Sequence, residues 1–227
     1  MHIVLLVLLI IAVVFGPQLW ARWVLRRHSR PRPDFPGSGG EFARHLLKRL
    51  NIDGVEVETT TLGDHYDPQT RTVRLTEDKL NGKSLTAVVV AAHEVGHALQ
   101  HHTGYTPLAW RSRLVGFASG AEKLGGILML AVPVIALLTR APAAGGLTLL
   151  LGALVMLSAT LVHLVTLPVE FDASFRRALP ALRSGEYLTE HEMKAARHIL
   201  TACAMTYVAQ SLTGLLNIWR WLRVLRR

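Results

Sequence analysis

Apolar residues gather in long runs along this chain, and polar residues occupy the stretches between the runs. The first run covers residues 1–20, the second residues 124–138 and the third residues 145–167. A helix needs about 20 consecutive apolar residues to cross the hydrocarbon core of a bilayer. The second run reaches that length only if its helix begins earlier, within residues 113–126. We therefore predict three membrane-spanning helices.

The order of apolar and basic residues predicts how these helices are oriented. The turn TRAPAAGG separates the second and third runs, so the two form a membrane hairpin that returns the chain to the side it left. The first run carries its arginines after the apolar residues, in RWVLRRHSRPRP, whereas a signal peptide carries them before. Because Lys and Arg favour the cytoplasmic side, we expect an uncleaved anchor and polar segments in the cytoplasm. If the arginine bias misleads, the same segments face outward.

A fourth, moderately apolar stretch covers residues 199–219 and ends in an arginine-rich tail. As a full span it would place that tail outside, against the charge rule. Alternatively, it packs on the other helices or lies at the interface, with Trp219 and Trp221 at the level of the headgroups. Both alternatives stay open.

The polar stretches predict a small α+β region. Residues 40–51 have the spacing of an amphipathic helix. VEVETT and TVRLT alternate like strands, and DHYDPQT between them has the Asp and Pro content of a turn. A buried helix follows in SLTAVVVAAHEVGHALQHH, and Gly104 stands at its stop position.

Charge and cysteine content exclude several kinds of partner and site. The net charge is +9, but the arginines lie beside the apolar runs and no aromatic-basic pattern of nucleic-acid binding accompanies them. We therefore predict the lipid bilayer as a partner, and no nucleic acid. The single cysteine, Cys203, allows neither an intrachain disulfide nor a thiolate metal cluster.

The candidate chemistry lies in AAHEVGHALQ, residues 91–100. Residues four apart lie on one helix face, so His93 and His97 can present two imidazole nitrogens to one ion. Glu94 flanks that face, where its carboxylate can polarise a zinc-bound water. Burying these groups costs free energy unless something pairs them. We predict one zinc ion per chain, with a pair of structural histidines as the alternative; the ligand types leave manganese and cobalt open.

A catalytic zinc site needs a third protein ligand and an open fourth position. Glu170, in LPVEFDAS, lies in the first turn of a helix predicted to begin at Pro168. Because the membrane hairpin brings the chain back, Glu170 can reach the histidines, and we predict it as the third ligand. Glu122 is the alternative. His163, at the end of a span, is more typical of an interfacial or packed residue than of a ligand.

Other polar residues near the motif have two interpretations each. His65 and Tyr66 could donate to a developing oxyanion, or they could be ordinary turn residues. Asp172 could orient a ligating histidine, or it could pair with Arg176 on the surface. The histidines at the end of the motif helix are predicted to be solvated: His101 and His102.

The chain resembles the bacterial membrane-bound neutral zinc metallopeptidases of the YugP type. The resemblance rests on an N-terminal anchor, DHYDP, AAHEVGHALQ, LPVEFDAS and AMTYVA, taken in this order. It implies a bacterial inner-membrane protein and a gluzincin-like zinc site with His93, His97 and Glu170 as ligands and Glu94 as base. EFDAS is also similar to the EFxAD segment of the HtpX-type and CAAX-processing membrane proteases, although Ser174 stands where those carry the acidic residue.

These observations predict a mainly α-helical membrane protein with a small zincin-like α+β domain that carries the HExxH helix and a short β-hairpin. The predicted segments are a transmembrane anchor (1–20), a basic linker (21–40), a cytoplasmic catalytic part (41–113), a transmembrane hairpin (114–167), a cytoplasmic helical segment with the third ligand (168–198), and an apolar helix with a basic tail (199–227).

The predicted function is that of a membrane-embedded zinc metalloendopeptidase acting on peptides or membrane proteins. Its zinc-bound water would be activated by Glu94, and the VRLT strand, if it borders the cleft, would hold an extended substrate by strand addition. The alternative is a non-catalytic membrane scaffold whose structural zinc has His65 as fourth ligand. A metal-handling membrane protein would need ionisable residues throughout its spans, and the apolar runs carry few.

Overall fold

The computed structural model describes residues 2–140 and 142–206, which fall into two units. The helical unit comprises, within the described chain, residues 2–17, 110–140 and 142–167. The site unit comprises residues 18–109 and 168–206. The described chain is mainly helical and carries a small three-stranded sheet, which lies in the site unit.

The helices and strands follow one another in this order: α1 (His2–Arg27), α2 (Gly39–Arg49), β1 (Glu56–Thr60), β2 (His65–Asp67), β3 (Thr72–Thr76), α3 (Glu77–Leu80), α4 (Leu85–His102), α5 (Thr106–Thr139), α6 (Pro142–Val165), α7 (Leu167–Phe171), a π-helix (Asp172–Ala178), α8 (Leu179–Ser184) and α9, which covers residues 190–206 of the described chain.

The sheet has β3 at its centre. Strand β1 runs parallel to β3, with Glu56 opposite Thr72, and β2 runs antiparallel to β3, with Tyr66 opposite Val73. Alternate residues of β3, Val73 and Leu75, are fully buried, as a strand with one face on a core requires. Because β1 and β2 occupy both edges of β3, the VRLT strand cannot take up an added substrate strand, and that prediction is wrong.

The hairpin is present, but it uses other residues than the sequence predicted. VEVETT pairs parallel to TVRLT, and His65–Asp67, inside the predicted turn, forms the antiparallel partner. Asp64 explains this arrangement: its Oδ1 accepts hydrogen bonds from the Thr76 backbone N–H at 2.7 Å and the Thr76 hydroxyl at 2.9 Å. Its Oδ2 lies 3.1 Å from the Lys79 ammonium. Together these contacts tie the start of β2 to the end of β3.

Helix α4 runs through the core of the site unit. Ser84 caps its first turn, accepting a hydrogen bond from the Ala87 N–H at 3.1 Å. After the last turn, Gly104 takes a φ of +65°, which glycine adopts readily at a helix end. Val89 and Val95 are fully buried, and residues are buried on most of the helix circumference. Full burial of one such side chain stabilises the fold by about 1.5–3 kcal/mol, so packing fixes the position of α4.

The helical unit contains the apolar helices. Within the described residues, α5 is long and apolar enough to cross a membrane, with 34 residues and a mean hydropathy of 1.9 over an 18-residue stretch. Large apolar side chains on α5 and α6 are exposed, among them Ile127, Leu137 and Leu147. Helix α5 ends at Thr139 and α6 begins at Pro142, which is where the sequence predicts a turn. That α5 and the other apolar helices cross a membrane stays a prediction, and residues 207–219 of the fourth apolar stretch lie outside the described chain.

After α6 the chain passes through α7 into the π-helix and α8. A π-helix forms i→i+5 hydrogen bonds, is rare, and occurs often at functional sites. Its register brings residues five apart together, and Asp172 meets Arg177 here: the Arg177 Nε donates to Asp172 Oδ2 at 2.7 Å. The predicted surface pair of Asp172 with Arg176 assumed an α-helical register and is therefore wrong.

Candidate metal centre

Three buried side chains converge in the site unit. His93 and His97 come from α4, and Glu170 comes from α7. Oε2 of Glu170 lies 3.3 Å from Nε2 of His93 and 3.4 Å from Nε2 of His97. The candidate ligand atoms all lie within 4.8 Å of one another, and the residues are 4, 2 and 0% exposed. A single ion could therefore contact all three.

Gly96 allows the segment that carries Glu170 to approach α4. A Cβ atom on Gly96 would lie 2.7 Å from the carbonyl oxygen of Ala173 and 3.3 Å from its carbonyl carbon. Carbon and oxygen atoms cannot approach so closely without a shift of the backbone. The glycine between the two histidines thus lets the π-helix lie directly against the face of α4 that bears them.

The second ring nitrogen of His97 is held by Gln100, three residues further along α4. The Gln100 Nε2 donates to two acceptors, the Val169 carbonyl at 2.9 Å and Asp172 Oδ2 at 2.8 Å. Oε1 of Gln100, 2.9 Å from Nδ1 of His97, must then be the acceptor. The proton of His97 is accordingly on Nδ1. Gln100 is not among the residues predicted for the site, although its i,i+3 spacing from His97 is a signal for this contact.

His93 is held in the same manner by Ser174. Nδ1 of His93 lies 3.1 Å from Oγ of Ser174, and the Ser174 hydroxyl donates to the Leu200 carbonyl on α9 at 3.3 Å. With its own proton used in that bond, Ser174 accepts from the Nδ1–H of His93. The serine therefore does at this position what a carboxylate would do, and it ties the site to α9.

This donor set fits a divalent metal ion. With Nδ1 of each histidine donating elsewhere, the Nε2 atoms of both rings face Oε2 of Glu170. Two imidazole nitrogens and one carboxylate are the ligands that zinc takes in catalytic sites. A fully buried carboxylate is expensive to ionise without a compensating cation, and a bound cation would offset that cost. The protein side chains at this point thus have the chemistry and the burial of a zinc site.

Glu94 accompanies the cluster without belonging to it. It follows His93 on α4, is 5% exposed, and lies outside the group of converging candidate ligand atoms. The site unit thus carries a second buried carboxylate next to His93 in the chain, in addition to the candidate ligand Glu170.

The structure places the other candidate residues in structural contacts. Nδ1–H of His65 donates to the Gly63 carbonyl at 2.8 Å. The Tyr66 hydroxyl is hydrogen-bonded to Nδ1 of His101 at 2.8 Å, and burial raises the pKa of Tyr66 to about 12. His101 is thus half-buried and partnered rather than solvated, whereas His102 is exposed. The side chains of the remaining candidates lie outside the part that the structure describes: Glu122 and His163.

The contact at Gly96 gives a direct test of the site. We expect Gly96→Ala to weaken zinc binding, because the added methyl group would push Glu170 and Ser174 away from α4. Overpacking of this kind costs about 1–3 kcal/mol, against a gain of about 1 kcal/mol in helix propensity. Zinc affinity and thermal unfolding measure both effects. Gly116→Ala is the matched control, since its Cβ meets nothing within 4 Å; equal zinc affinity in both variants would contradict the close approach.

Comparisons with known proteins agree with this chemistry. The chain is 36% identical, over 222 residues and 92% of both chains, to a Bacillus subtilis (strain 168) protein named "Putative membrane protease YugP". No solved structure matches the chain. Residues 3–226 match the family model described as "Putative neutral zinc metallopeptidase". The family resemblance seen in the sequence is thereby confirmed, and the chain belongs to this neutral zinc metallopeptidase family.

Proposed function

We propose that this protein is a membrane-embedded zinc metalloendopeptidase. The observation that carries the proposal is the buried convergence of His93, His97 and Glu170 on one point, with Glu94 beside them. Three protein ligands of this type leave a fourth position open to water or substrate, as in gluzincin-like hydrolases. Family membership supports the same chemistry.

Different residues of the site have different roles in the proposed reaction. His93, His97 and Glu170 would hold one zinc ion per chain, which supplies a Lewis acid that brings the pKa of a coordinated water toward 7. Glu94 takes the proton of the attacking water and passes it to the nitrogen of the leaving amine. Gln100 and Ser174 keep the histidine Nδ1 atoms occupied, so that both Nε2 atoms stay directed at the metal position.

The membrane is part of the proposal. Helix α5 has the length and hydropathy of a span, and the relative is named a membrane protease. The arginine distribution supports a multi-pass inner-membrane protein whose site faces the cytoplasm. Glu170 follows closely on the end of α6, so the substrates we propose are membrane proteins or their juxtamembrane segments.

The first experiment is metal analysis and proteolysis on detergent-purified protein. We expect one zinc per chain, cleavage of a casein substrate, and loss of that cleavage on treatment with a chelator. Because zinc binds the native state, free zinc at about 100 times its Kd should add about 2.7 kcal/mol to stability, and thermal unfolding with and without chelator measures this.

The same experiment separates the peptidase from a structural zinc site. A closed structural site would bind zinc and gain stability from it, yet would cleave nothing under any condition. Re-addition of zinc to the chelated protein is the control, and it should restore both stability and cleavage. A protein that binds no zinc at any concentration would contradict the proposal.

A further inference from the structure

We propose that Gln100, Asp172 and Arg177 form one hydrogen-bonded chain that positions His97 and Glu170 together and so sets the affinity of the zinc site. The inference rests on the proposed function, since it concerns the same metal centre. It assigns a role to three residues that would themselves contact neither metal nor substrate. They are positioning residues.

Gln100 is the link between the two ligand-bearing elements. It is fully buried, and its three polar contacts reach His97 on α4, the backbone of Val169 on α7 and Asp172 on the π-helix. Val169 directly precedes Glu170 in the chain. One side chain therefore fixes both the ring of His97 and the backbone position next to the carboxylate that faces it.

The direction of each hydrogen bond follows from the groups present. Asp172 and the Val169 carbonyl only accept, so both protons of the Gln100 amide are used and its oxygen is left for His97. A leucine or a rotated amide at this position could not hold His97 with Nδ1 protonated. Such partners of a metal-binding histidine commonly change metal affinity by about 10–100-fold when they are removed.

Arg177 anchors the outer end of the chain. Its Nε donates to the same Oδ2 of Asp172 that accepts from Gln100, at 2.7 Å. Its Nη1 donates to Thr103 at 3.0 Å, and its guanidinium lies over the Tyr105 ring, 5.3 Å from the centroid. Both contacts are with the segment that follows α4. The π-helical register is what places Arg177 at Asp172, which gives this unusual turn a function at the site.

The test is zinc affinity, measured by competition with a chromophoric chelator on the detergent-purified full chain. We expect Gln100→Leu to bind zinc about 10–100-fold more weakly than wild type. The visible spectrum of cobalt bound in place of zinc should change as well, because His97 is no longer held in one orientation. Thr86→Val is the matched control: it also removes a side-chain hydrogen bond of a buried residue of α4, from Thr86 Oγ1 to the Leu25 carbonyl at 2.8 Å. It should lower thermal stability and leave zinc affinity unchanged.

Two further variants keep the inference testable if Gln100→Leu does not fold. Gln100→Glu keeps an acceptor for His97 but sets a carboxylate against Asp172, so zinc binding should weaken. Arg177→Leu removes the outer anchor of Asp172, so zinc binding should weaken as well. Arg176→Leu is its matched control, because Arg176 is an exposed arginine on the same π-helix, and it should leave zinc affinity unchanged.

The outcomes distinguish failure of the positioning chain from failure of the metal centre. If wild type binds zinc and Gln100→Leu binds it as tightly, the positioning chain is overturned while the metal centre stands. An Arg177→Leu variant that binds zinc as tightly as Arg176→Leu overturns the chain equally. If wild type binds neither zinc nor cobalt, the proposed function falls, and this inference falls with it.

Discussion

Glu94→Gln should keep one zinc per chain and lose peptide cleavage. The amide has the shape of the carboxylate but cannot take a proton from water, and general-base catalysis contributes about 10²–10⁴-fold to such rates. Zinc should stay because the converging ligand atoms belong to His93, His97 and Glu170. We therefore expect the cleavage rate to fall by about two to four orders of magnitude with little change in metal content.

Metal content and initial cleavage rates on the same purified samples check this expectation. Glu190→Gln is the matched control, because Glu190 is an exposed glutamate in the site unit and should keep both zinc and activity. Cleavage by Glu94→Gln at the wild-type rate would mean that the observed activity comes from another site or a contaminant. Loss of zinc in this variant would instead make Glu94 a ligand.

Local periodicity of the sequence predicted much of the candidate metal site. The spacing of His93 and His97 predicted one helix face, and in the structure both side chains lie on α4 and point toward the same carboxylate. Glu170 is distant in sequence, and its choice as the partner came from the expected return of the chain after a hairpin. The end of the motif helix followed from the stop signal at Gly104, which acts over a few residues.

Features that depend on contacts between distant segments could not be predicted in this way. The sequence does not show that β3 lies between β1 and β2, because that order depends on contacts between separate segments, such as those of Asp64 with Thr76 and Lys79. The π-helix shifts the partner of Asp172 from Arg176 to Arg177, and local propensity gives no signal for the extra residue in that turn. The i,i+3 spacing of Gln100 from His97 indicates their contact, but the hydrogen bonds of Gln100 to Val169 and Asp172 depend on the packing of distant segments against α4.

Glu170→Ala should lose zinc more completely than any variant of the positioning residues. Removal of a residue that hydrogen-bonds a metal ligand lowers metal affinity by about 10–100-fold. Loss of one of three direct ligands should lower the affinity by more than that. The apo form should fold at least as well as wild-type apo protein, because a fully buried carboxylate is removed together with the free-energy cost of its burial. Zinc content, zinc affinity and the thermal unfolding of the metal-free protein measure the three effects.

The pattern of zinc loss identifies the ligands. His97→Ala should behave like Glu170→Ala, whereas His102→Ala and Glu190→Ala, which alter exposed residues of the same types, should bind zinc like wild type. Zinc retained by Glu170→Ala would mean that another carboxylate is the third ligand, and Glu122 would be the next residue to change. Zinc lost by Glu170→Ala and retained by Glu94→Gln would assign the two glutamates to different tasks, one to holding the metal and one to moving the proton.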